Sequence, residues 1–245
     1  MRLDKLLSNL GYGSRREIPA LLRAGRVRLG ELRLSDAAQK IASAAWTEIR
    51  IDGEPLDPPP GLVIMMHKPL GVTCSHKDEG PLVHELLPER WRRREPQISS
   101  VGRLDKDTSG LLLMTDDGPL LHSLIAPKAQ VPKRYHVKLA RPLRGDETET
   151  FAAGTLMLQG DETPLRMARL DVTSPTRAAL TITEGRYHQV RRMFAAVGNH
   201  VLALHRDQVG GLTLPDDLAP GQHRVLDEAQ VKTVLSPPRT AAANR

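Results

Sequence analysis

The sequence contains few aromatic residues and almost no cysteine. Aromatic residues make up 3% of the 245 residues, and Cys74 is the only cysteine. A single cysteine excludes an intrachain disulfide and a cysteine-rich zinc site. Any function that requires the face of a tyrosine ring must use one of only three residues: Tyr12, Tyr135 and Tyr187.

Several functional classes lack their sequence signals. No segment approaches the roughly 20 apolar residues of a membrane helix, and residues 1–5 do not open an apolar run of the signal-peptide type. There is no glycine-rich phosphate loop ending in Gly-Lys-Ser/Thr, and His84-Glu85 lacks the second histidine of a zinc metalloprotease helix. We therefore expect a cytoplasmic protein without membrane association, bound metal or obligatory protein partner.

The charge balance is basic, with 35 Lys and Arg against 29 Asp and Glu, or +6 at pH 7. A basic domain suits a polyanionic partner, because Lys and Arg displace counterions from phosphates. A solvated basic surface explains the same charge equally well. Apolar residues make up 40% of the chain, enough for a packed core, so extensive disorder is not expected.

The chain divides at a proline-rich segment. Residues 57–61 contain three consecutive prolines, which favour an extended and fairly stiff linker. We expect a small basic unit over residues 1–56 and a larger unit over residues 62–235. Residues 236–245, with two prolines and three alanines, are predicted to be a loose tail.

The small unit shows helical and hairpin patterns. Leucines at positions 3, 6, 7 and 10 have helical spacing, and Ser14 to Glu17 resembles a capping box before a second helix. Pro19 fits that second helix badly, because it lacks the amide that a helix interior needs. Residues 27–34 predict a hairpin turning at Gly30-Glu31, and residues 48–51 predict a closing strand.

The larger unit is predicted to be a mixed domain with many short strands. Residues 63–66, 111–115, 135–139 and 178–182 read as strands, and residues 189–197 read as a helix that ends at Gly198. Strands and helices do not alternate regularly, so a mixed or antiparallel sheet is favoured over a doubly wound one. The fold class is therefore α+β.

The segment over residues 101–118 carries the most specific pattern. A polar loop containing Asp105 and Asp107 leads into an apolar strand that ends in an Asp-Asp-Gly turn. The two carboxylates could make loop hydrogen bonds, or one could sit at the mouth of the sheet to act in chemistry. The whole string resembles the catalytic signature of the RsuA-type pseudouridine synthases, Gly-Arg-Leu-Asp followed by Asp-Thr and Gly-Leu-Leu-Leu. The resemblance implies that Asp105 is catalytic and that Arg103 supports the active site.

Three further segments resemble the same family in the same order. His67 to Val72 resembles its Lys-Pro-x-Gly segment, and Lys133 to Val137 its Lys-x-Tyr segment. The latter resemblance implies that Tyr135 stacks on the uracil, although an ordinary strand tyrosine is the alternative. Residues 184–193 resemble a third motif, in which Arg186 pairs with the catalytic aspartate; phosphate contact or surface charge is the alternative. RNA contacts are also expected in these segments from Lys133, Arg191 and Arg192.

The first unit is similar to an S4 RNA-binding domain of the α-L type. The resemblance runs from Arg2 to Lys5, through Ser14 to Glu17, and on to Val27, with departures at Pro19 and Leu29. It implies RNA-binding arginines at positions that share this unit: Arg15, Arg16, Arg23, Arg26 and Arg28. The basic cluster over residues 90–94, which includes a tryptophan, is interpreted either as an RNA contact or as a solvated loop.

The resemblance implies a function and leaves alternatives open. It implies that the chain isomerises a uridine in 16S rRNA, uridine 516, within an assembling small subunit and without a cofactor. Residues 187–189, 193–200 and 210–214 look most like the branch of the family that acts on 16S rRNA. A 23S rRNA enzyme of the same family and a non-catalytic RNA-binding assembly factor remain alternatives. Asp105 could act as a nucleophile on the sugar or as a base.

Overall fold

The N-terminal unit packs two short helices and a 3-10 turn around a four-stranded antiparallel sheet. A computed structural model describes residues 1–75, 80–126 and 128–236. Eleven buried apolar residues of this unit form a separate core. The sheet order is β2-β1-β3-β4. The elements are α1 (Leu3–Asn9), α2 (Ile18–Arg23), β1 (Val27–Leu29), β2 (Leu32–Arg33), the 3-10 turn Ser43–Glu48, β3 (Ile49–Ile51) and β4 (Glu54–Pro55).

The second helix accommodates its proline by starting late. α2 begins at Ile18, so Pro19 lies in the first turn, where no amide is required. The Ser14 amide donates a hydrogen bond of 2.7 Å to the Glu17 carboxylate, as the predicted capping box requires. The Glu17 amide donates to the Ser14 carbonyl oxygen at 2.9 Å, where the predicted box would use the hydroxyl. The helix is therefore short, with six residues, and Pro19 lies in its first turn and not in its interior.

The larger unit is built on a nine-stranded mixed sheet with flanking helices. Seven strands follow the order β13-β5-β7-β11-β8-β10-β9, while β12 pairs with β11 and β6 with β7. The β7–β11 pair is parallel and the other pairs are antiparallel. The predicted α+β class and mixed, mainly antiparallel sheet are confirmed.

The elements of this unit differ from the predicted ones mainly in their bounds. The predicted strands are longer by one to three residues, and the predicted helix begins at Gln189. The elements are β5 (Val63–Lys68), the 3-10 turns Val83–Leu86 and Trp91–Arg93, β6 (Ser99–Ser100), β7 (Thr108–Thr115), α3 (Gly118–Ile125), β8 (Lys133–Leu139), α4 (Glu147–Ala152), β9 (Arg169–Ser174), β10 (Arg177–Ile182), α5 (Gln189–Ala196), β11 (Val201–Val209), β12 (Leu212–Thr213), β13 (His223–Val225) and α6 (Glu228–Val234).

Both faces of the central strands are buried. On β7, Leu112 and Met114 point into one apolar core, while Leu111 and Leu113 point into a second core on the opposite face. A strand covered on both faces is apolar at every position instead of alternating. The continuous run over residues 111–115 therefore forms a central strand, and its polar N-terminal end emerges beside the loop that contains Asp105.

The proline-rich segment is clamped to the larger unit by a buried ion pair. Arg94 and Asp116 lie 2.7 Å apart, and their side chains are 1% and 2% exposed. Arg94 also donates to the carbonyl oxygens of Pro58 and Pro59, and Asp116 accepts from the Gly61 amide at 2.8 Å. A buried charge is tolerated when it is paired and its hydrogen-bonding capacity is used. The segment over residues 57–61 is therefore held at both of its ends.

The basic cluster over residues 90–94 joins the two units. The Arg90 guanidinium lies 4.4 Å from the centre of the Tyr12 ring and forms an ion pair with Asp57. The Tyr12 hydroxyl accepts a hydrogen bond from the Asp57 amide at 3.0 Å, and Trp91 is buried. Trp91 and Arg94 are thus buried within the protein, whereas Arg90, Arg92 and Arg93 are exposed, and an RNA contact of these three stays a prediction.

The ends of the described chain add little to the site. A capping box of Asp227 and Gln230 starts α6. In residues 1–75, 80–126 and 128–236, no helix has the length and apolar character needed to cross a membrane. The predicted loose tail over residues 236–245 lies outside the described residues except for Ser236.

Candidate active site

Asp105 lies in the loop that precedes β7. The Thr108 amide donates to the Asp105 carbonyl oxygen at 3.0 Å, which closes a turn at the start of the strand. Gly102, with φ of 71°, lets the chain enter this loop in a left-handed conformation that glycine adopts readily. The Asp105 side chain is 30% exposed. The Asp105 carboxylate therefore lies in the loop at the N-terminal end of a central strand, partly exposed to solvent.

Lys68 donates hydrogen bonds to backbone atoms at the end of the Asp105 loop. Its side chain is fully buried, and its ammonium group donates to the carbonyl oxygens of Pro69 at 3.0 Å and Thr108 at 2.8 Å. The Gly71 amide donates to the Lys106 carbonyl oxygen at 2.8 Å. Burial lowers the pKa of Lys68. The segment from His67 to Val72 therefore supports the Asp105 loop through hydrogen bonds to its backbone.

Arg191, on α5, also binds the Asp105 loop. Its guanidinium lies 2.8 Å from the Asp107 carboxylate and donates to the Asp107 carbonyl oxygen at 3.1 Å and to the Val201 carbonyl oxygen at 3.1 Å. Asp107 thus makes the loop contact that one interpretation of the sequence predicted. Arg191 has a positioning role here, and its RNA contact stays a prediction.

His188 is the side chain that approaches the Asp105 carboxylate. Its Nε2 atom lies 3.5 Å from Asp105 Oδ1, and the histidine side chain is 39% exposed. His188 comes directly before α5 and adopts a left-handed conformation with φ of 48°. Sequence reasoning assigned no role to this residue, although its position beside the motif arginine was a signal.

Arg186 does not pair with Asp105 in this structure, contrary to the prediction. Its guanidinium forms ion pairs with Asp161 at 2.8 Å and Glu184 at 3.2 Å. It also donates to the carbonyl oxygens of Thr163 and Pro164, at 2.7 and 2.6 Å. Among the described residues, these partners occupy the donors on all three nitrogens. Asp161 is 25 positions away in the chain, so the motif alone gave no indication of it.

Asp161 forms ion pairs with two arginines, of which Arg186 lines the site. Arg192 reaches its second oxygen at 2.6 Å, while Arg186 holds the first. Hydrogen bonds from Arg192 and Arg186 lower the pKa of Asp161. Arg192 therefore serves an internal ion pair in this structure, and its contact with RNA stays a prediction.

Tyr135 lies on β8 next to a buried arginine that the sequence analysis missed. Tyr135 is 8% exposed and Arg206 is 2% exposed. The guanidinium of Arg206 lies 5.8 Å from the centre of the tyrosine ring, donates to the tyrosine hydroxyl at 3.3 Å and donates to the Leu111 carbonyl oxygen at 2.8 Å. Arg206, on β11, thereby links the Tyr135 hydroxyl on β8 to the backbone of β7. It was missed because the strand that carries it was not predicted.

Three adjoining cavities share Arg103, and two of them also share Asp105. An inner cavity of about 70 Å³ joins these residues to Tyr135, Arg186 and His188. A second cavity of about 430 Å³ extends from Arg103 and Tyr135 along a basic wall that comprises Lys133, Arg166, Arg186 and Arg206. An outer cavity of about 380 Å³ lies on the Asp105 loop itself. The four residues predicted to form the active site thus line one connected space.

Lys133 is the most perturbed cation of this wall. Burial, and secondarily the charge of Arg206, lowers its pKa to about 8. Its ammonium group donates to the Val131 carbonyl oxygen at 3.0 Å. Two partly or fully buried cations side by side repel each other, and an anion entering the cavity would relieve that repulsion. The wall is therefore suited to a phosphate group.

The five predicted RNA-binding arginines of the N-terminal unit are all exposed. Arg26 forms an ion pair with Asp52 at 2.5 Å, and Arg28 approaches Glu31 at 3.7 Å. Within the described chain, Arg15, Arg16 and Arg23 make no ion pair. These three residues therefore offer their charges most directly to a polyanion.

A metal centre is not evident around this site. No group of three or more His, Cys, Asp or Glu side chains in the described segments has an arrangement suited to a metal ion. The chemistry available to the cavity comes from a carboxylate, a histidine, an aromatic ring and several guanidinium groups.

Comparisons with known proteins agree with both parts of the chain. A family model for RNA pseudouridylate synthase matches residues 62–196, and an S4 domain model matches residues 1–43. The chain is 43% identical over 240 residues to the ribosomal small subunit pseudouridine synthase A of Yersinia pestis, covering 97% of this chain and 99% of that protein. The enzyme of the same name from Escherichia coli K12 is 41% identical over 239 residues, covering 96% and 100%. A crystal structure of a pseudouridylate synthase matches with a TM-score of 0.67 and 32% identity, covering 96% of this chain and 99% of that one.

Proposed function

The chain belongs to the RNA pseudouridylate synthase family, and on that premise we propose that it isomerises one uridine of small-subunit ribosomal RNA to pseudouridine. The observation that carries this proposal is the convergence of Asp105, Tyr135, Arg103 and Arg186 on one connected cavity. The names of the Yersinia and Escherichia relatives support the small subunit as the source of the substrate. We expect uridine 516 of 16S rRNA, in an assembling small subunit in the cytoplasm.

The reaction breaks one bond and forms another on the same nucleotide. The bond between ribose C1′ and uracil N1 is cleaved, the base turns, and C5 is joined to C1′. The hydrogen on C5 leaves as a proton, and N1 gains one. No atoms or electrons are gained overall, so the reaction requires neither a redox cofactor nor an energy source. The protein must expose the nucleotide, assist cleavage and retain the free base.

Asp105 is the proposed catalytic residue. As a carboxylate it either attacks the sugar as a nucleophile or removes a ribose proton as a base. The contacts from Lys68 and Arg191 hold the backbone at Thr108 and Asp107, directly after Asp105, which restrains the carboxylate relative to the cavity. Fixing a reacting group in this way reduces the entropy that is lost on reaching the transition state.

Tyr135 and Arg103 are proposed to handle the flipped nucleotide. Taking a base out of its stack costs a few kcal/mol, and stacking on an aromatic ring returns about 1–3 kcal/mol. Tyr135 offers a ring that Arg206 holds in place next to the inner cavity. Arg103 is exposed and lines all three cavities, so its long side chain is positioned to fill the vacated space or to hold a phosphate.

Arg186 is proposed to act from the opposite wall of the inner cavity. Its guanidinium, held by Asp161 and Glu184, presents a positive charge to the cavity that Asp105 also lines. The basic wall that includes Lys133 and Arg206 is proposed to receive RNA phosphates. The exposed arginines of the N-terminal unit, Arg15, Arg16, Arg23, Arg26 and Arg28, are proposed to anchor the RNA outside the pocket, as phosphate contacts supply much of RNA affinity.

The proposal is tested by mapping pseudouridines in both ribosomal RNAs from cells with and without the gene. We expect one pseudouridine to disappear from the small-subunit RNA on deletion. A plasmid copy of the wild-type gene should restore it, and an Asp105→Asn copy should not. An unchanged small-subunit map would overturn the proposal, and a loss confined to the large-subunit RNA would assign the other branch of the family. Unchanged maps of both RNAs would favour the non-catalytic assembly factor.

A further inference from the structure

Tyr187 and His188 form an exposed aromatic pair at the mouth of the site. Their ring centres are 3.8 Å apart and their planes differ by 17°, which is a stacked arrangement. Tyr187 is 67% exposed. The other aromatic residues of the chain, all within the described segments, are buried or partly buried. An exposed ring in a protein so poor in aromatic residues therefore requires an explanation.

The backbone holds this pair in a conformation that few residues adopt. His188 has φ of 48° and ψ of 32°, the left-handed region that non-glycine residues usually avoid. The Arg186 amide donates to the Gln189 side chain at 2.9 Å, and the Arg192 amide donates to the His188 carbonyl oxygen at 3.0 Å. Such conformations persist where the surrounding contacts enforce them, and they concentrate at functional sites. Here the conformation accompanies the approach of the histidine ring to Asp105.

Tyr187 lies on a different cavity from Tyr135, and His188 lines the cavities of both. Tyr187 and His188 line the outer cavity of about 380 Å³ together with Cys74, Lys106 and the Asp105 loop. Tyr135 lines the inner and the basic cavities instead. The outer and inner cavities share Asp105, Arg103 and His188. Asp105 therefore has one tyrosine ring in each of the two cavities that adjoin it.

A flipped uridine leaves its neighbours with an uncovered face. The base next to it in the chain loses one stacking partner when the uridine rotates out. Aromatic side chains replace such partners, and they accept any base because every base has a π face. Resting on the proposed function, we propose that the Tyr187–His188 pair is a platform that stacks on the unpaired base adjacent to the target uridine. The target itself enters on the Tyr135 side of Asp105.

The platform explains why the histidine approaches the proposed catalytic residue. A base stacked on Tyr187 fixes the nucleotide next to the reacting one, and His188 lies between that base and Asp105. Arg103 and Lys106 line the same cavity, where the phosphate that connects the two nucleotides must pass. The pair thus sets the position of the sugar relative to Asp105 by holding its neighbour.

The test combines protein variants with RNA that lacks single bases. The probes are small-subunit RNA fragments containing the mapped uridine, each with one abasic site within two nucleotides on either side. The variants are Tyr187→Phe, which keeps a ring, and Tyr187→Leu, which keeps apolar bulk without one. Leu202→Ala, at an exposed β11 residue that lines none of these cavities, is the control. Turnover is followed as kcat/KM, and binding by fluorescence quenching of 2-aminopurine placed at each flanking position.

We expect one flanking position to respond to the tyrosine. An abasic site there should lower the wild-type kcat/KM by about 5- to 150-fold, the range expected for one stacked base. Tyr187→Leu should lower it by a similar factor on intact RNA and cause no further loss on that abasic RNA. Tyr187→Phe and Leu202→Ala should behave as the wild type. The 2-aminopurine at that position should be quenched by the wild type and not by Tyr187→Leu.

The platform and the proposed function fail in different ways. The platform would be overturned if the kcat/KM loss from Tyr187→Leu and the loss from each abasic site multiplied independently in every combination. It would also be overturned if the wild type and Tyr187→Leu quenched the 2-aminopurine equally. A Tyr187→Phe variant as impaired as Tyr187→Leu would assign the effect to the hydroxyl group and would also overturn it. Failure of the proposed function appears instead as wild-type protein that forms no pseudouridine, and the quenching measurement still decides the platform in that case.

Discussion

Two aspartates, one in the site and one behind Arg186, have opposite surroundings. Asp161 is 14% exposed and receives Arg186 on one oxygen and Arg192 on the other. Asp105 is 30% exposed, and its ion-pair contact within the described chain is His188 at 3.5 Å. A carboxylate with both oxygens occupied is suited to holding the protein together. A carboxylate that has fewer ion-pair partners can bind a substrate. The number of partners therefore distinguishes the two roles better than the residue type does.

Removing the charge of Asp105 should give the largest effect. Asp105→Asn preserves size but cannot act as an anionic nucleophile or a base, so we expect turnover to fall by about 1000-fold or more, the scale found when a reacting group is removed. RNA affinity and Tm should change little, because the carboxylate has few protein partners to lose. Tritium release from C5-labelled uridine in RNA measures the turnover. Substantial activity in this variant would end the assignment of Asp105.

The Arg186→Lys variant tests whether the contacts of Arg186 with Asp161 and Glu184 affect turnover at Asp105. Arg186→Lys keeps the charge but loses the planar fork that serves Asp161, Glu184 and two carbonyl oxygens. We expect turnover to fall by about 100-fold, because the wall facing Asp105 loses its geometry, with a smaller loss of RNA affinity. The comparison fails if turnover is unchanged and only binding suffers, since Arg186 would then be a phosphate contact.

Asp161→Asn should show the reverse balance from Asp105→Asn. It removes the counter-charge of Arg192 and one of the two counter-charges of Arg186, so we expect a Tm lower by about 2–4 °C and less than about a tenfold loss of turnover. The pKa of Asp161 is lowered in the folded protein, so its contribution is complete above the unfolded pKa of about 4 and is lost as pH falls further. Thermal unfolding should therefore separate wild type and variant by a larger Tm difference at pH 7 than at pH 3.

Lys133 should give a smaller and pH-dependent effect on binding. Its pKa of about 8 means that the free protein loses this charge as pH rises through 8. A phosphate bound at the basic wall favours the charged form, so wild-type RNA affinity should decrease above pH 8 by about fivefold, the effect of roughly 1 kcal/mol. Lys133→Met should bind more weakly at pH 7 and lose this additional dependence. Parallel curves for the two proteins would remove Lys133 from the RNA contacts.

The same lysine predicts a stability change of known sign. The folded protein binds fewer protons than the unfolded chain between pH 8 and 10.5, so this group makes stability increase with pH across that interval. Urea unfolding should show Lys133→Met gaining stability over the wild type at pH 7, by at most about 3 kcal/mol, and losing that advantage by pH 10.5. An advantage of equal size at both pH values would point to packing instead of charge.

The sequence was informative where a residue's neighbours in the chain determine its environment. The run over residues 111–115 predicted a buried strand because its apolar side chains fill both faces of the sheet. β11 was not predicted, although it lies at the centre of the sheet, because residues 205–208 are all polar. That polarity is a property of the site: Arg206 lines a cavity and fixes Tyr135. Strand patterns are weakest where a strand faces a polar pocket.

Long-range ion pairs could not be predicted from the sequence either. The partner of Arg186 lies 25 residues upstream, and Arg94 pairs with Asp116 across 22 residues. Opposite charges are common throughout this chain, so no spacing rule selects these pairs from the many possible ones. Motif resemblance grouped Asp105, Tyr135 and Arg186, which line one cavity, but it could not predict which atoms pair in the structure.

The clamp formed by Arg94 and Asp116 has a consequence for RNA selection. Two binding modules on a flexible tether accept many separations between their targets, whereas a stiff connection accepts only matching ones. Here the prolines of residues 58–60, the buried ion pair and the Arg90–Tyr12 contact set the span from the exposed arginines to Asp105. On the proposed function, this fixed span favours an RNA whose phosphates and target uridine already lie at the matching distance. Folded shape, and not only local sequence, would then be part of what is recognised.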